Sequence, residues 1–287
     1  MAITMNTNVA SLSAQRNLQM TQARLTANFG RLSTGLRINT AADDAAGLAI
    51  SEKLKSQIRS LSQAERNAHD GNSMLQVAEG AMNEVSGILT RMRELSVQSA
   101  NGTLGVTERG FLDQEVTQLQ AELDRIADVT EFNGTPLLNG GITGLTFGFQ
   151  VGIGSTSADR INATIKGTRS VDLGVITGGA VSSVAGIDIT TVTGAQNALS
   201  VIDRAIGDVS SRRADLGSVQ NRMTVTIANL GTARENLSAA NSRIRDVDVA
   251  SETSEMTRNN ILMQSGVAIL AQANQQPSIA LSLLGGG

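Results

Sequence analysis

Cysteine, tryptophan and tyrosine are absent from this chain of 287 residues, and phenylalanine (five), proline (two) and histidine (one) are scarce. Without cysteine there is no disulfide, thiolate nucleophile, iron–sulfur cluster or thiolate zinc site. A lone histidine, His69, cannot supply a two-histidine zinc motif. Charged residues make up only 17% of the chain, with a net charge of −3 and no polybasic cluster. Neither nucleic acid nor an anionic membrane surface is therefore indicated as a partner. No stretch approaches the roughly 18 apolar residues of a membrane span. Residues 1–18 have no basic residue before Arg16 and no signal-peptide core. These signals describe a protein that stays in the cytosol or leaves by a route that needs no cleaved signal.

What remains is a chain 40% hydrophobic, enough to bury a core, but a core of Ala, Leu, Val, Ile and Met. Large aromatics usually anchor a domain interior. Small aliphatic side chains suit long helices packed side by side. The spacing predicts a first amphipathic helix over about 6–37, where Leu18, Leu25 and Leu32 recur every seventh residue and Phe29 and Leu36 fall four beyond the last two. That alternation is a coiled-coil seam, and it breaks at Gly35 and Asn39-Thr40. A second helix should start near Asp43-Asp44, whose carboxylates can cap its free amides. Its apolar stripe runs through Leu54, Ile58 and Leu61, lapses over a polar patch at 67–72, and resumes as Leu75, Ala78, Met82, Val85, Leu89 and Met92. Ending near Asn101-Gly102, it would be roughly 55 residues and about 80 Å long, too long for a compact globule.

A third helix is expected over 106–129, with Leu112, Val116, Leu119, Leu123 and Ile126 on one side. Turn signals then cluster at Asn133-Gly134, Pro136 and Asn139-Gly140-Gly141. From Leu145 to about Ser183 the chain is rich in Gly, Ser, Thr, Val and Ile and reads as short strands and hairpins. A second very long helix follows from about Thr193 to Arg245, with Leu199, Ile202, Ile206, Val209, Met223, Ile227, Leu230, Leu237 and Ile244 in its stripe. After Asp246-Val-Asp248 a last helix places Val249, Met256, Met263 and Leu270 seven apart, with Pro277 expected to interrupt it. The fold class is mainly α: a long antiparallel helical, coiled-coil rod with a small β-hairpin region mid-chain. The two terminal seams are narrow, and isolated helices are marginal in water. We therefore expect Leu18, Leu25, Phe29, Leu32, Val249, Met256, Met263 and Leu270 to pack in a polymer, on arms that order against identical neighbours.

No catalytic constellation emerges. Asp43 and Asp44 read as helix caps rather than an acid–base pair, and His69 lies on a polar face. Gly152-x-Gly154 lacks the following helix and acidic partner of a dinucleotide site. No enzyme, cofactor or metal is expected.

Several stretches are similar to bacterial flagellin. At the start these are Asn6-Thr-Asn-Val-Ala10, Ser13-Ala-Gln-Arg-Asn-Leu18, Arg31-Leu-Ser-Thr-Gly-Leu-Arg-Ile-Asn39 and Asp43-Asp-Ala-Ala-Gly-Leu-Ala-Ile-Ser51. Arg91-Met-Arg-Glu-Leu-Ser-Val-Gln98 and Phe132-Asn-Gly134 follow. In the closing half they are Arg213-Ala-Asp-Leu-Gly217, Val219-Gln-Asn-Arg222, Glu235-Asn-Leu-Ser-Ala-Ala240, Ser242-Arg-Ile-Arg-Asp246 and Leu270-Ala-Gln-Ala-Asn274. The resemblance spans about 1–166 and 187–287. One departure is the three glycines that follow Leu283-Leu284, where the family commonly has about one residue.

The resemblance implies an extracellular filament subunit, exported through the flagellar apparatus without a cleaved signal peptide and assembled at the tip. Its implied partners are copies of itself, the filament cap, hook–filament junction proteins and an export chaperone. The implied domains are an inner-tube domain made of the arms 1–42 and 246–287, and an outer-tube domain over 43–245 with its β region at about 132–190. The interval 167–186 is too short for a further outer domain, so the form is a short one. It also lacks room and histidines for the metalloprotease some relatives carry. The toll-like receptor that senses flagellin would dock on Arg91, Leu95 and Glu115. Glycans, where the family has them, are usually O-linked, and the Ser- and Thr-rich stretch 155–193 is the place for them. A hook–filament junction protein shares the opening motifs, and a secreted helical adhesin or immune ligand is the rival from another class.

Overall fold

The computed structural model describes residues 7–175 and 183–284, with side chains described as far as 275. Five helices dominate: α1 (Val9–Thr34), α2 (Ala45–Ser99), α3 (Val106–Val129), α4 (Val192–Arg245) and α5 (Val249–Leu284). Between α3 and α4 lie two antiparallel pairs, β1 (Glu131–Phe132) with β2 (Thr135–Pro136), and β3 (Leu145–Gln150) with β4 (Arg160–Ile165). The protein is mainly helical, with long antiparallel helices and small two-stranded sheets in the middle of the chain, as the periodicity predicts. The chain divides into two compact units, residues 1–58 with 235–287, and residues 59–234.

The second unit holds nearly all the buried apolar surface. The α2 stripe from Leu75 through Met82, Leu89 and Met92 is fully buried against Val116 and Leu123 of α3 and Ile202 and Val209 of α4. All five phenylalanines stay at least partly exposed, so the core is aliphatic, as the composition requires. Polar rungs set the α2–α4 alignment: Glu65 with Arg234, Glu79 with Gln220, and Arg93 with Asp203, so residue numbers rise on one helix as they fall on the other.

The polar patch of α2 at 67–72 is where the β3–β4 hairpin sits. Asn67 donates to the Gln150 carbonyl at 3.1 Å, Ala68 is buried, and Gly71 lies under the Phe149 ring. A Cβ on Gly71 would meet that ring at 2.8 Å, closer than side-chain carbons approach, so only glycine lets the strand lie this near the helix. The hairpin region is smaller than the sequence suggests. β4 ends at Ile165, and the described residues beyond it, 166–175 and 183–191, form loops and short 3-10 turns rather than strands.

The loops are held instead by two buried arginines. Arg212 on α4 is 8% exposed and donates to the carbonyls of Gly167 and Asp172. Arg109 on α3 donates to the carbonyls of Ser99 and Asn101, closing the end of α2.

In the first unit, α1 starts at an Asn8 cap, whose side chain accepts the Ser11 amide at 3.0 Å. It ends on Gly35 in the left-handed region (φ 70°), which returns its amide to Arg31. The helix is thus shorter at both ends than the periodicity indicates. α5 also departs from expectation, because it continues through Pro277 to Leu284. Proline has no N–H for the carbonyl four residues back. That carbonyl, on Ala273, accepts the Asn8 carboxamide at 2.8 Å instead, so the lost helical bond is replaced.

Candidate self-assembly surface

The connections between the long helices and the arms are closed before the arms begin. Gly35 accepts from the Val247 amide at 3.0 Å, the Arg37 amide donates to the Arg245 carbonyl at 2.7 Å, and Leu36 bridges Asp246. Asp43 accepts from the Thr40 amide and hydroxyl and faces Arg31 at 3.5 Å. The Thr40 amide first, then its hydroxyl, hold the Asp43 carboxyl below its usual range. Asp44 caps α2 by accepting the Gly47 amide at 2.9 Å. Both carboxylates therefore serve the turn into α2.

From that junction α1 and α5 run antiparallel. Asn8 meets Ala273, Ser11 meets Asn274, Leu18 packs over Gly266, and Asn28 meets Asn259. Of the expected seam residues, Leu18, Leu25, Leu32, Met256, Met263 and Leu270 are buried or half-buried between the two helices, while Phe29 (54%) and Val249 (59%) are exposed. Most of that heptad pattern therefore closes the hairpin within one protein. It closes little: only Leu25, Ile38 and Ala273 of this unit are buried apolar residues among those described. The sequence reading missed the two buried asparagines, and an asparagine at a seam position was the signal for them.

Outside the seam, α1 exposes Val9, Leu12, Met20 and Phe29, and α5 exposes Ile261, Leu262, Val267 and Ile269. Val9, Leu12 and Met20 lie on the α1 half that opposes residues 261–274, so apolar side chains of both helices come out at the same end of the hairpin. With Val249 these are nine large apolar groups, and covering each contributes about 1 kcal/mol or more, on the order of 10 kcal/mol per subunit. A monomer rarely leaves such a face open.

A second surface lies on α2 and α3. Arg91 reaches Glu115 at 2.8 Å and Glu94 at 3.1 Å; the Glu115 bond first, then Glu94, raises the guanidinium above its usual range. Arg91 and Glu115 are exposed and adjacent. Leu95 is 1% exposed and packs in the core, so it offers no side chain to a docking protein. His69 is exposed on α2, away from any group that could hold a metal among the described residues. Asp159 explains Gly152 and Gly154: it accepts from the Gly154 and Thr156 amides inside the β3–β4 turn, and a Cβ on either glycine would collide with its side chain. No described helix is long and apolar enough to cross a membrane. The opening residues 1–6, part of the Ser- and Thr-rich stretch (176–182) and the tail 285–287 lie outside the described residues.

Two sealed arm helices with an apolar exterior, joined to helices that carry their own core, define a structural subunit completed by further copies of itself. The residues match the bacterial flagellin N-terminal helical region over 5–143 and the bacterial flagellin C-terminal helical region over 199–284. A flagellin from Halalkalibacterium halodurans is 48% identical over 279 residues, covering 97% of this chain and 98% of that one. The flagellar filament 33 kDa core protein of Treponema phagedenis is 45% identical over 285 residues, covering 97% and 99%. A solved structure provisionally assigned to a flagellar hook-associated protein of Vibrio parahaemolyticus shares the fold, with a TM-score of 0.61, at 15% identity, covering 71% of this chain and all of that one. The chain belongs to the bacterial flagellin family. It is the structural, non-enzymatic subunit that polymerises with itself into the extracellular flagellar filament.

Proposed function

We propose that the arms 1–42 and 246–287 form the inner wall of the filament and residues 43–245 its outer wall. The observation that carries this reading is the apolar exterior of α1 and α5, exposed among the described residues. Copies bury that exterior against one another, and the polar junction at 35–44 and 246–248 keeps each hairpin closed as they do. The filament cap receives the subunit at the tip, junction proteins precede it at the base, and an export chaperone shields the same apolar arm before assembly.

Electron microscopy after adding filament seeds tests the surface directly. Leu12→Asp with Leu262→Asp, both on exposed positions, should leave the melting temperature within about 2 °C and lower filament yield by about tenfold or more. Filaments at parental yield would overturn the assignment.

Arg91 and Glu115 are proposed as contacts for a toll-like receptor on the monomer, with Leu95 supporting them from the core rather than touching the receptor. Signalling by purified Arg91→Ala monomer is expected to fall several-fold. Unchanged signalling would remove these residues from the contact.

A further inference from the structure

The α1–α5 seam has a weakness. Its large side chains recur every seventh residue on both helices, so sliding α5 by one heptad interleaves them again. Leu25 would then lie over Gly266 and Leu18 over Ala273, contacts as apolar as the native ones. The polar residues behave differently. Asn28 and Asn259, 6% and 5% exposed, meet each other at 2.9 Å, and Asn28 also donates to Glu252, whose carboxylate faces Arg31 at 3.7 Å. After the slide Asn28 would lie on Gly266 and Asn259 on Gly35, neither of which has a side chain to pair with an amide. At the other end, the carbonyl of Ala273 left free by Pro277 has one taker, Asn8, in the native alignment alone.

We propose that these two polar pins, Asn28–Asn259 near the junction and Asn8 on the Ala273 carbonyl near the termini, select the single register of the arm hairpin and so make it competent for assembly. The register matters because it places the exposed Val9, Leu12 and Met20 of α1 on the same half of the hairpin as the exposed Ile261, Leu262 and Ile269 of α5. This rests on the reading that the apolar exterior is the polymer surface. Each stranded amide disfavours the slipped state by about tenfold or more. The junction bridge at Leu36 and Asp246 is the competing explanation, since it too restrains the ends of both helices.

The absence of native cysteine makes the register readable by introduced pairs. Leu18→Cys with Gly266→Cys reports the native alignment, and Leu25→Cys with Gly266→Cys reports the slipped one. In the full chain only the first pair should oxidise efficiently. Adding Asn28→Leu and Asn259→Leu should raise the 25–266 cross-link about tenfold and lower filament yield, although the seam becomes more apolar. If this variant retains the 18–266 cross-link alone, the junction sets the register and the proposal is wrong. Cross-linking is read on monomer as well as polymer. Failure of the apolar-surface reading would show separately, as Leu12→Asp with Leu262→Asp protein that still polymerises while its 18–266 pair forms.

Discussion

A protein lacking residues 270–287 will form no filaments, yet the unit spanning 59–234 will melt at an unchanged temperature. The deletion removes Leu270, Ala273 and Asn274, and with them the partners of Asn8 and Ser11 and the close of the seam beside Leu18. None of the core cluster of residues 74–216 is touched. The remaining hairpin keeps Asn28–Asn259 and the 35–44 junction, so the chain stays soluble, but the apolar end of α1 has lost the helix beside it. On the order of 10 kcal/mol of inter-subunit burial depends on that paired surface. Two measurements decide the matter: seeded assembly followed by electron microscopy, and a calorimetric melt. Normal filaments would mean that the terminal half of α5 is dispensable, which contradicts the surface proposed for polymerisation.

The second large effect belongs to Arg212. Replacement by methionine keeps the aliphatic length but removes both donors, leaving the Gly167 and Asp172 carbonyls without partners in a buried site. We expect a loss of about 2–4 kcal/mol from the 59–234 unit, as a shift in urea midpoint with unchanged slope. The arginine is itself disfavoured by burial, which lowers its pKa against the attraction of Asp208 and then Asp172, so some of the loss is returned when the charge goes. Orphaned carbonyls prevail because methionine brings no replacement donor.

The pH dependence of this variant has a definite sign. Burial, opposed by Arg212 and then Arg169, raises the Asp172 pKa above its usual value. Its ionised form therefore weakens the folded state above that pKa, and the penalty fades as pH falls through it. Without Arg212 the folded pKa rises further. The variant's deficit should be larger at pH 7 than near pH 4, and an equal or greater deficit in acid would show that the carboxylate is not coupled to the guanidinium.

Much of the architecture was legible in one dimension. A helix is written in local spacing, so α3 over 106–129, the start of α2 after Asp43-Asp44 and the end of α4 at Arg245 follow from stripes, caps and turn residues. The motifs at both ends pointed to flagellin, and the relatives at 45–48% identity bear that out. The fold alone would not have separated the filament subunit from a hook-associated protein, since the 15%-identical structure shares it. The match along the whole chain does so.

Other features depended on what lies across the fold. Leu95 and Arg91 share one motif, yet one is core and the other surface, because α2 is packed by both α3 and α4 and its apolar face is wider than a single stripe. The polar patch at 67–72 looked like a lapse in the apolar stripe and is a seat for Phe149, whose position is set by a hairpin some 80 residues away. Pro277 does not end α5, because Asn8 from the far end of the chain takes the carbonyl that proline leaves free. Composition, periodicity and capping by themselves determined the helices and their apolar faces, and the motifs at both ends carried the resemblance to the family. Only the tertiary structure decided which heptad residues close the hairpin and which remain for neighbours, where the buried arginines point, and which asparagines meet. Periodicity reports that a side chain is apolar or polar on a given face, whereas burial and hydrogen bonding are set by partners distant in sequence.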